Sequence, residues 1–161
     1  MGYSHDVYQT IIEQKLNHNS QNRPKSWAQL LSKKYTGIGC GHAVSIYLQR
    51  KGCLKAGELI SHTKKTGKLK NTKDKAIVNH KKLSNCSFHY VNQKFAKLPR
   101  EYKKAGIVYV YDSDIAVYQG NNIIYSCNND GVQTWGKVKH TYGSYQFTHK
   151  ILWVIIPPDI G

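Results

Sequence analysis

The stretch at residues 37–52, GIGCGHAVSIYLQRKG, joins a glycine-rich turn to a helix and constrains the fold more than any other. Three of its first five residues are glycine, which makes a regular helix costly there because glycine loses the most backbone freedom on folding. From Ala43 onward, apolar residues recur at helical spacing, and Gly52 stands where a left-handed residue ends a helix. The pattern predicts a helix that begins close to Cys40.

Cys40 is the candidate nucleophile of the chain. Unpaired backbone N–H groups and the positive end of the helix dipole favour a thiolate at a helix N-terminus. A cysteine held rigidly at such a position suits nucleophilic catalysis. The alternative is a small buried residue that fills a tight corner, since free cysteines are commonly buried.

The charge of the chain predicts a polyanionic partner. Its 161 residues are 40% hydrophobic, which fits one domain over 1–161, and 24 Lys+Arg against nine Asp+Glu give a net charge of +15. Nucleic acid, an acidic membrane face and the anionic polymers of a Gram-positive wall are the candidates. Arginine is scarce, so base-specific reading of nucleic acid is not favoured. A nuclease is a third-ranked function, because eight histidines permit it but no metal-binding carboxylate cluster supports it.

No cofactor or metal is expected, because the four cysteines are scattered without zinc-ligand spacing. We expect reduced thiols, with two disulfides as the open alternative. The sequence holds no apolar run long enough to span a membrane, and its polar start does not resemble a secretion signal. The expectation is a protein made in the cytoplasm without a signal peptide.

The order of elements predicts an α+β domain with N-terminal helices packed on one side of a small antiparallel sheet. Four regions are expected: an N-terminal helix and loop (1–25), the cysteine helix region (26–63), a basic loop and helix (64–83) and the sheet (84–161). Within them, helices are predicted at 6–16, 26–34 and 74–83. Predicted strands cover 87–92, 107–111, 115–119, 123–127 and 151–156, with a hairpin turn at 120–122.

The segment after the cysteine helix predicts the position of a possible base. Residues 53–63 are too irregular for a second long helix, and they return from the Gly52 end toward the Cys40 end. This path would bring Ser61, His62 and Thr63 near Cys40. The lysine-rich run at 64–75 is interpreted as an exposed loop.

Residues 26–127 resemble the NlpC-type papain-like cell-wall peptidases and the related CHAP-type amidohydrolases. The family's D-C-S-G-hydrophobic motif is replaced here by residues 39–44 (GCGHAV), and its GD-hydrophobic strand resembles residues 105–109 (AGIVY). Its hairpin H-V-G-I-Y-x-G-N-G resembles residues 114–122 (DIAVYQGNN). The resemblance implies a papain-like fold, and it places Asp114 where the family has its catalytic histidine.

The resemblance implies a catalytic set with Cys40 as nucleophile. His62 is the first choice for the base, since the family's corresponding segment lines the cleft, and Asp112 or Asp114 would orient its imidazole. The competing histidines, His42, His89, His140 and His149, are ranked lower as bases. The expected substrate contacts are Tyr35, His42, Ser61, Thr63 and Ser113.

The expected function is that of a peptidoglycan hydrolase, an endopeptidase or amidase that cuts stem peptides or cross-bridges. Anionic wall polymers would bind the lysine-rich surface. The resemblance implies an endolysin released through a holin, or a phage-tail hydrolase. The alternative is a non-catalytic basic module on a degenerate papain-like scaffold, which would bind wall polymer or nucleic acid, with tyrosines available for stacking.

Overall fold

The computed structural model describes residues 2–18, 21–62, 77–78, 82–127 and 138–160. For residues 61–62 and 77–78 it describes the backbone. The predictions for the basic loop at 64–75, and for Thr63, lie outside these residues.

Four helices occur in the described residues: α1 (Tyr3–Gln14), α2 (Trp27–Leu31), α3 (Cys40–Arg50) and α4 (Tyr145–Thr148). Ser26 caps α2 as predicted, because its hydroxyl accepts a hydrogen bond from the Gln29 N–H at 3.2 Å. The predicted end of the cysteine helix is also confirmed: Gly52 has φ 79°, and the Cys53 N–H donates to the Leu48 carbonyl at 2.9 Å. These are features of a Schellman ending.

The described strands are β1 (Asn17–His18), β2 (Gly37–Ile38), β3 (Ser61–His62), β4 (Ile77–Val78), β5 (Ser87–Gln93), β6 (Val108–Val110), β7 (Ile115–Gly120), β8 (Ile123–Tyr125), β9 (Lys139–His140) and β10 (Ile151–Ile156). All predicted sheet strands are present with slightly different ends. Six of the strands form the main antiparallel sheet in the order β5-β10-β6-β7-β8-β9, which confirms the α+β prediction.

Apolar residues cover both faces of this sheet. One face packs against α1, α2 and α3, and α3 lies centrally with its middle residues buried. The other face is covered by Phe95 and Leu98, which belong to a 3₁₀ turn and its end, and by Phe147 of α4. The large helices therefore occupy one side as predicted, and a second layer that the sequence did not indicate covers the other.

The prediction of a helix at 74–83 is wrong at its centre. Ile77 and Val78 form β4, which pairs with β3 in an antiparallel register of Ser61 with Val78 and His62 with Ile77. Two β-branched residues favour a strand once a partner strand is available, and the sequence gives no local sign of that partner.

The return path along α3 is confirmed for the backbone that leads to β3. The Gln49 amide donates to the Glu58 carbonyl at 2.8 Å, and the Ser45 hydroxyl accepts from the Ile60 N–H at 2.9 Å. Since Ser45 lies one helical turn closer to Cys40 than Gln49, the segment runs antiparallel to the helix.

Among the described residues, no helix combines the length and the apolar character that a membrane crossing requires.

Candidate active site at Cys40 and Asp114

Cys40 is the first residue of α3, and Gly39 directly before it packs against the side chain of Arg23. Gly39 caps the helix in an extended conformation, and its carbonyl accepts the Ala43 N–H at 3.0 Å. A Cβ atom on Gly39 would lie 2.5 Å from Nη1 of Arg23. The glycine thus permits a cationic side chain to pack against the backbone beside the candidate nucleophile.

Asp114 lies directly before β7 and is completely buried. The Ser126 hydroxyl is 2.8 Å from both carboxylate oxygens and donates to the carboxylate. The Gln146 amide donates to Oδ2, also at 2.8 Å. A buried carboxylate needs such donors, because removing it from water without them costs several kcal/mol or more.

The packing of α3 against β7 brings Cys40 to Asp114, and the thiol donates a hydrogen bond to the carboxylate. Burial raises the pKa of Asp114 from 3.8 to about 6, although its hydrogen-bond donors act in the opposite direction. Burial, followed by the negative charge of Asp114, raises the pKa of Cys40 to about 12. The resting pair at neutral pH is therefore a thiol beside a carboxylate.

The prediction that the helix N-terminus favours a thiolate is thus wrong for this resting state. Backbone N–H groups of Ile115 and Gly41 and the charge of Arg23 do lower the pKa of Cys40. Their effect is smaller than the combined effect of burial and the adjacent carboxylate. Two negative charges in one buried site oppose each other, and the carboxylate holds the charge because it is the stronger acid.

Tyr8 and Cys127 complete the surroundings of this pair. Burial, and then the nearby Cys127 and Asp114, raise the pKa of Tyr8 well above its ordinary value. The Tyr8 ring stacks on Tyr125 with centroids 4.9 Å apart, yet its buried hydroxyl has no hydrogen-bond partner within the described part of the chain. An O–H donor is therefore available close to Cys40.

The histidines occupy different places around the site. His62 belongs to β3, beside α3, and its side chain lies outside the described structure. His42 is in the first turn of α3, where burial and the charges of Arg23 and Lys25 lower its pKa to about 4. His140 on β9 contacts the donor network indirectly, because its Nε2 lies 3.0 Å from the Ser126 carbonyl. The proposed role of His62 as base stays a prediction.

Three predicted site residues border other cavities. Asp112 and Ser113 line a cavity of about 550 Å³ with Tyr145 and His149. Tyr35 lines another, of about 420 Å³, whose other walls come from α1, α2 and the turn after α2. Cys40 lines neither cavity. The turn at 112–114 therefore places its two carboxylates in different surroundings: Asp112 lines the cavity, and Asp114 contacts Cys40.

Ser126 and Gln146 are the site residues that sequence reasoning missed. The register pairs Val117 with Tyr125, so strand alternation puts Ser126 on the same face of the hairpin as Asp114. That alternation could have identified the serine. Gln146 is 32 positions from Asp114 in sequence, and no local pattern signals it.

The described residues contain no group of three or more histidine, cysteine or acidic side chains arranged to bind a metal ion.

Comparison of the chain with family models, with curated proteins and with solved structures gives no match.

Proposed function

We propose that this protein is a cysteine hydrolase with a papain-like arrangement that cleaves an amide bond in peptidoglycan. The observation that carries the proposal is the contact between Cys40, at the head of α3, and Asp114, at the start of β7. A nucleophile and a proton acceptor in hydrogen-bond contact are the minimum for nucleophilic catalysis. The resemblance of residues 39–44 and 114–122 to the cell-wall peptidases supports the choice of substrate.

In this mechanism, Cys40 attacks the amide carbonyl while its proton passes to Asp114, or to His62 if that side chain reaches the thiol. First-turn backbone N–H groups of α3 and the unpartnered Tyr8 hydroxyl are the donors available to the developing oxyanion. The protonated acceptor then delivers its proton to the leaving amine, and water releases the acyl group.

The raised pKa of Cys40 determines how much free energy is needed to remove its proton in this mechanism. The difference between a pKa of about 12 and one of about 6 corresponds to about 8 kcal/mol, which is an upper bound on the cost of proton transfer, because the repulsion by ionised Asp114 that helps to raise the pKa of Cys40 ends once Asp114 is protonated. Proton transfer must therefore accompany attack, because a resting thiolate is scarce at neutral pH. A bound substrate reduces the cost if it places donors or positive charge beside the sulfur, where they stabilise the thiolate more than the carboxylate.

The test is cleavage of purified Gram-positive walls and of soluble muropeptides, with mass spectrometry of the released fragments. Wild type should release new amino and carboxyl ends, and Cys40→Ala and Cys40→Ser should release none while keeping the far-UV circular dichroism spectrum. Cys86→Ser is the control, because it also removes a partly buried thiol, but one outside the site. Activity retained in both Cys40 variants would exclude the mechanism.

The same raised pKa favours a second function, that of a non-catalytic basic module. A thiol that stays protonated is a poor nucleophile, whereas a net charge of +15 attracts anionic wall polymer whatever the state of Cys40. This module would bind walls in a salt-dependent way and lose binding when teichoic acid is stripped from them. Wall binding that is unchanged in Cys40→Ala, without any cleavage by wild type, would establish it over the hydrolase.

A further inference from the structure

Cys53 and Cys86 meet at the end of α3, away from the site at Cys40. Cys53 is buried directly after the Gly52 turn, and Cys86 is partly exposed just before β5. Two hydrogen bonds to backbone carbonyls join residues 84–85 to residues 52–53. The Ser84 N–H donates to the Cys53 carbonyl at 2.9 Å, and the Asn85 side-chain amide donates to the Gly52 carbonyl at 3.2 Å.

The two thiols are in direct hydrogen-bond contact, and the contact makes them unequal. The Cys53 S–H donates to Cys86, which raises the pKa of Cys53 and lowers that of Cys86. Cys86 therefore reaches the thiolate state first, and it is the more exposed of the two. An accessible thiolate next to a second, buried thiol is the arrangement of an attacking and a resolving cysteine.

We propose that Cys53 and Cys86 form a dithiol modification site that reacts with a small organic disulfide, such as oxidised glutathione, to give an intramolecular disulfide. The Cys86 thiolate attacks one sulfur of the reagent, forms a mixed disulfide and expels one thiolate. The Cys53 sulfur, losing its proton to solvent, then attacks the Cys86 sulfur and expels the second thiolate. Two protein thiols are oxidised, and one disulfide is reduced to two thiols.

The product closes a covalent ring over residues 53–86, which contains the segment that returns along α3. In the reduced protein this segment is held by the contacts of Gln49 and Ser45 to its backbone. The bond joins the end of α3 to the entry of β5 and leaves the Cys40 and Asp114 pair untouched. This site does not depend on the proposed hydrolase function.

The four cysteines fall in separate tryptic peptides, so the reaction can be followed for each thiol. Cys53 lies in peptide 52–55, Cys86 in 83–94, Cys40 in 35–50 and Cys127 in 105–137. The folded full chain is treated with oxidised glutathione at pH 8, blocked with iodoacetamide, denatured, digested without reductant and analysed by mass spectrometry. The expected product is peptide 52–55 linked to 83–94, lighter by two hydrogen atoms and released by reductant.

Two variants test the order of the steps. Cys53→Ser should trap Cys86 as a stable mixed disulfide with glutathione, and Cys86→Ser should leave Cys53 as a free thiol. Cys127→Ser is the matched control, because Cys127 is buried elsewhere in the core and its replacement should leave the linked peptide unchanged. The proposal is overturned if wild type gives separate, fully alkylated 52–55 and 83–94 peptides, or if the linkage joins any other pair of cysteines.

Discussion

Replacement of Asp114 by Asn should make Cys40 more reactive toward alkylating reagents and at the same time slow the proposed hydrolysis. The asparagine keeps the shape of the side chain, and its carbonyl oxygen still accepts the Gln146 amide. What is lost is the negative charge, which is the second largest cause of the raised pKa of Cys40, after burial.

The size of the effect follows from the thiolate fraction. With a pKa of about 12, roughly one Cys40 thiol in 10,000 is ionised at pH 8, against about one in ten for an ordinary thiol of pKa near 9. Wild-type Cys40 should therefore react about 1000-fold more slowly than an unperturbed thiol. Each pKa unit by which the carboxylate raises the pKa of Cys40 lowers the thiolate fraction tenfold. We therefore expect Asp114→Asn to accelerate alkylation of Cys40 at least about tenfold.

The hydrolysis assay distinguishes the cysteine hydrolase from the non-catalytic basic module. If Asp114 accepts the proton of Cys40, its loss should lower kcat by a factor of about 100 or more, although the thiol itself reacts faster with iodoacetamide. If His62 is the acceptor and Asp114 does not orient its imidazole, the variant should gain activity together with reactivity. In the binding module, alkylation accelerates and no cleavage is seen in either protein.

The assay follows loss of unmodified peptide 35–50 between pH 6 and 9.5 by mass spectrometry. Asp112→Asn is the matched control, because it removes the same charge two residues earlier, on the side of the turn that lines the cavity with Tyr145. This control should leave the alkylation rate within a factor of two. An Asp114→Asn rate equal to or below that of wild type would refute the reasoning, as would a wild-type Cys40 that reacts as fast as Cys86.

Three further predictions concern stability and local order. The folded-state pKa of Asp114 lies above its ordinary value of 3.8, so its stabilising contribution is full below about pH 4 and is lost as the pH rises through about 6. In urea titrations, wild type should therefore lose up to about 3 kcal/mol of unfolding free energy between pH 4 and 7, relative to Asp114→Asn. Gly106→Ala should lower the unfolding free energy by more than about 2 kcal/mol, since Gly106 has φ 97° and a Cβ would lie 2.6 Å from the nearest side-chain atom. Gly143 has a similar φ of 92° but open space around it, so Gly143→Ala should cost only about 1 kcal/mol. Equal costs would contradict the packing argument. Ser45→Ala removes the hydrogen bond to the Ile60 N–H, so amide exchange at Ile60 should accelerate about tenfold; unchanged exchange would show that other contacts hold the return segment.

The parts of the fold that follow from local chemistry could be predicted from the sequence. Gly52 ends α3 because only a residue tolerant of positive φ suits that position, and Ser26 caps α2 through its own hydroxyl. The hairpin between β7 and β8 turns at Asn121 and Asn122, both with positive φ, as asparagine permits. In each case the residue that makes the structure lies within a few positions of the structure it makes.

The errors arise where pairing is not local. Ile77 and Val78 are a strand because β3, 15 to 17 positions earlier, offers them hydrogen bonds. The parallel pairing of Asn17 with Gly37 likewise joins a polar loop to the glycine-rich turn, and neither stretch alone has a strand pattern. Short strands of this kind take their conformation from a partner, which a single-sequence periodicity cannot reveal.

The two central residues of the candidate site were both identified from sequence, by separate signals, but the relation between them was not. Cys40 came from its place at a helix head, and Asp114 from the resemblance of its hairpin to a family with histidine there. Their contact depends on how α3 packs on β7, and the ionisation of each depends on burial that only the assembled core provides. The helix dipole does not keep Cys40 ionised, because burial opposes the thiolate most and the adjacent carboxylate adds a whole negative charge, whereas the dipole contributes a fraction of a charge.

This balance also defines what the site needs in order to react. A partly buried thiol and a buried carboxylate share one negative charge, and in the free protein Asp114 holds it, stabilised by Ser126 and Gln146. A thiolate forms at lower cost if the carboxylate takes up a proton or if a positive charge offsets its repulsion of the sulfur. A bound cationic group or a protonated His62 that lies beside the sulfur as well as the carboxylate would offset this repulsion. A substrate with an amino group near the scissile amide therefore fits this site better than a neutral one, and cleavage should be fastest for muropeptides that keep that group free.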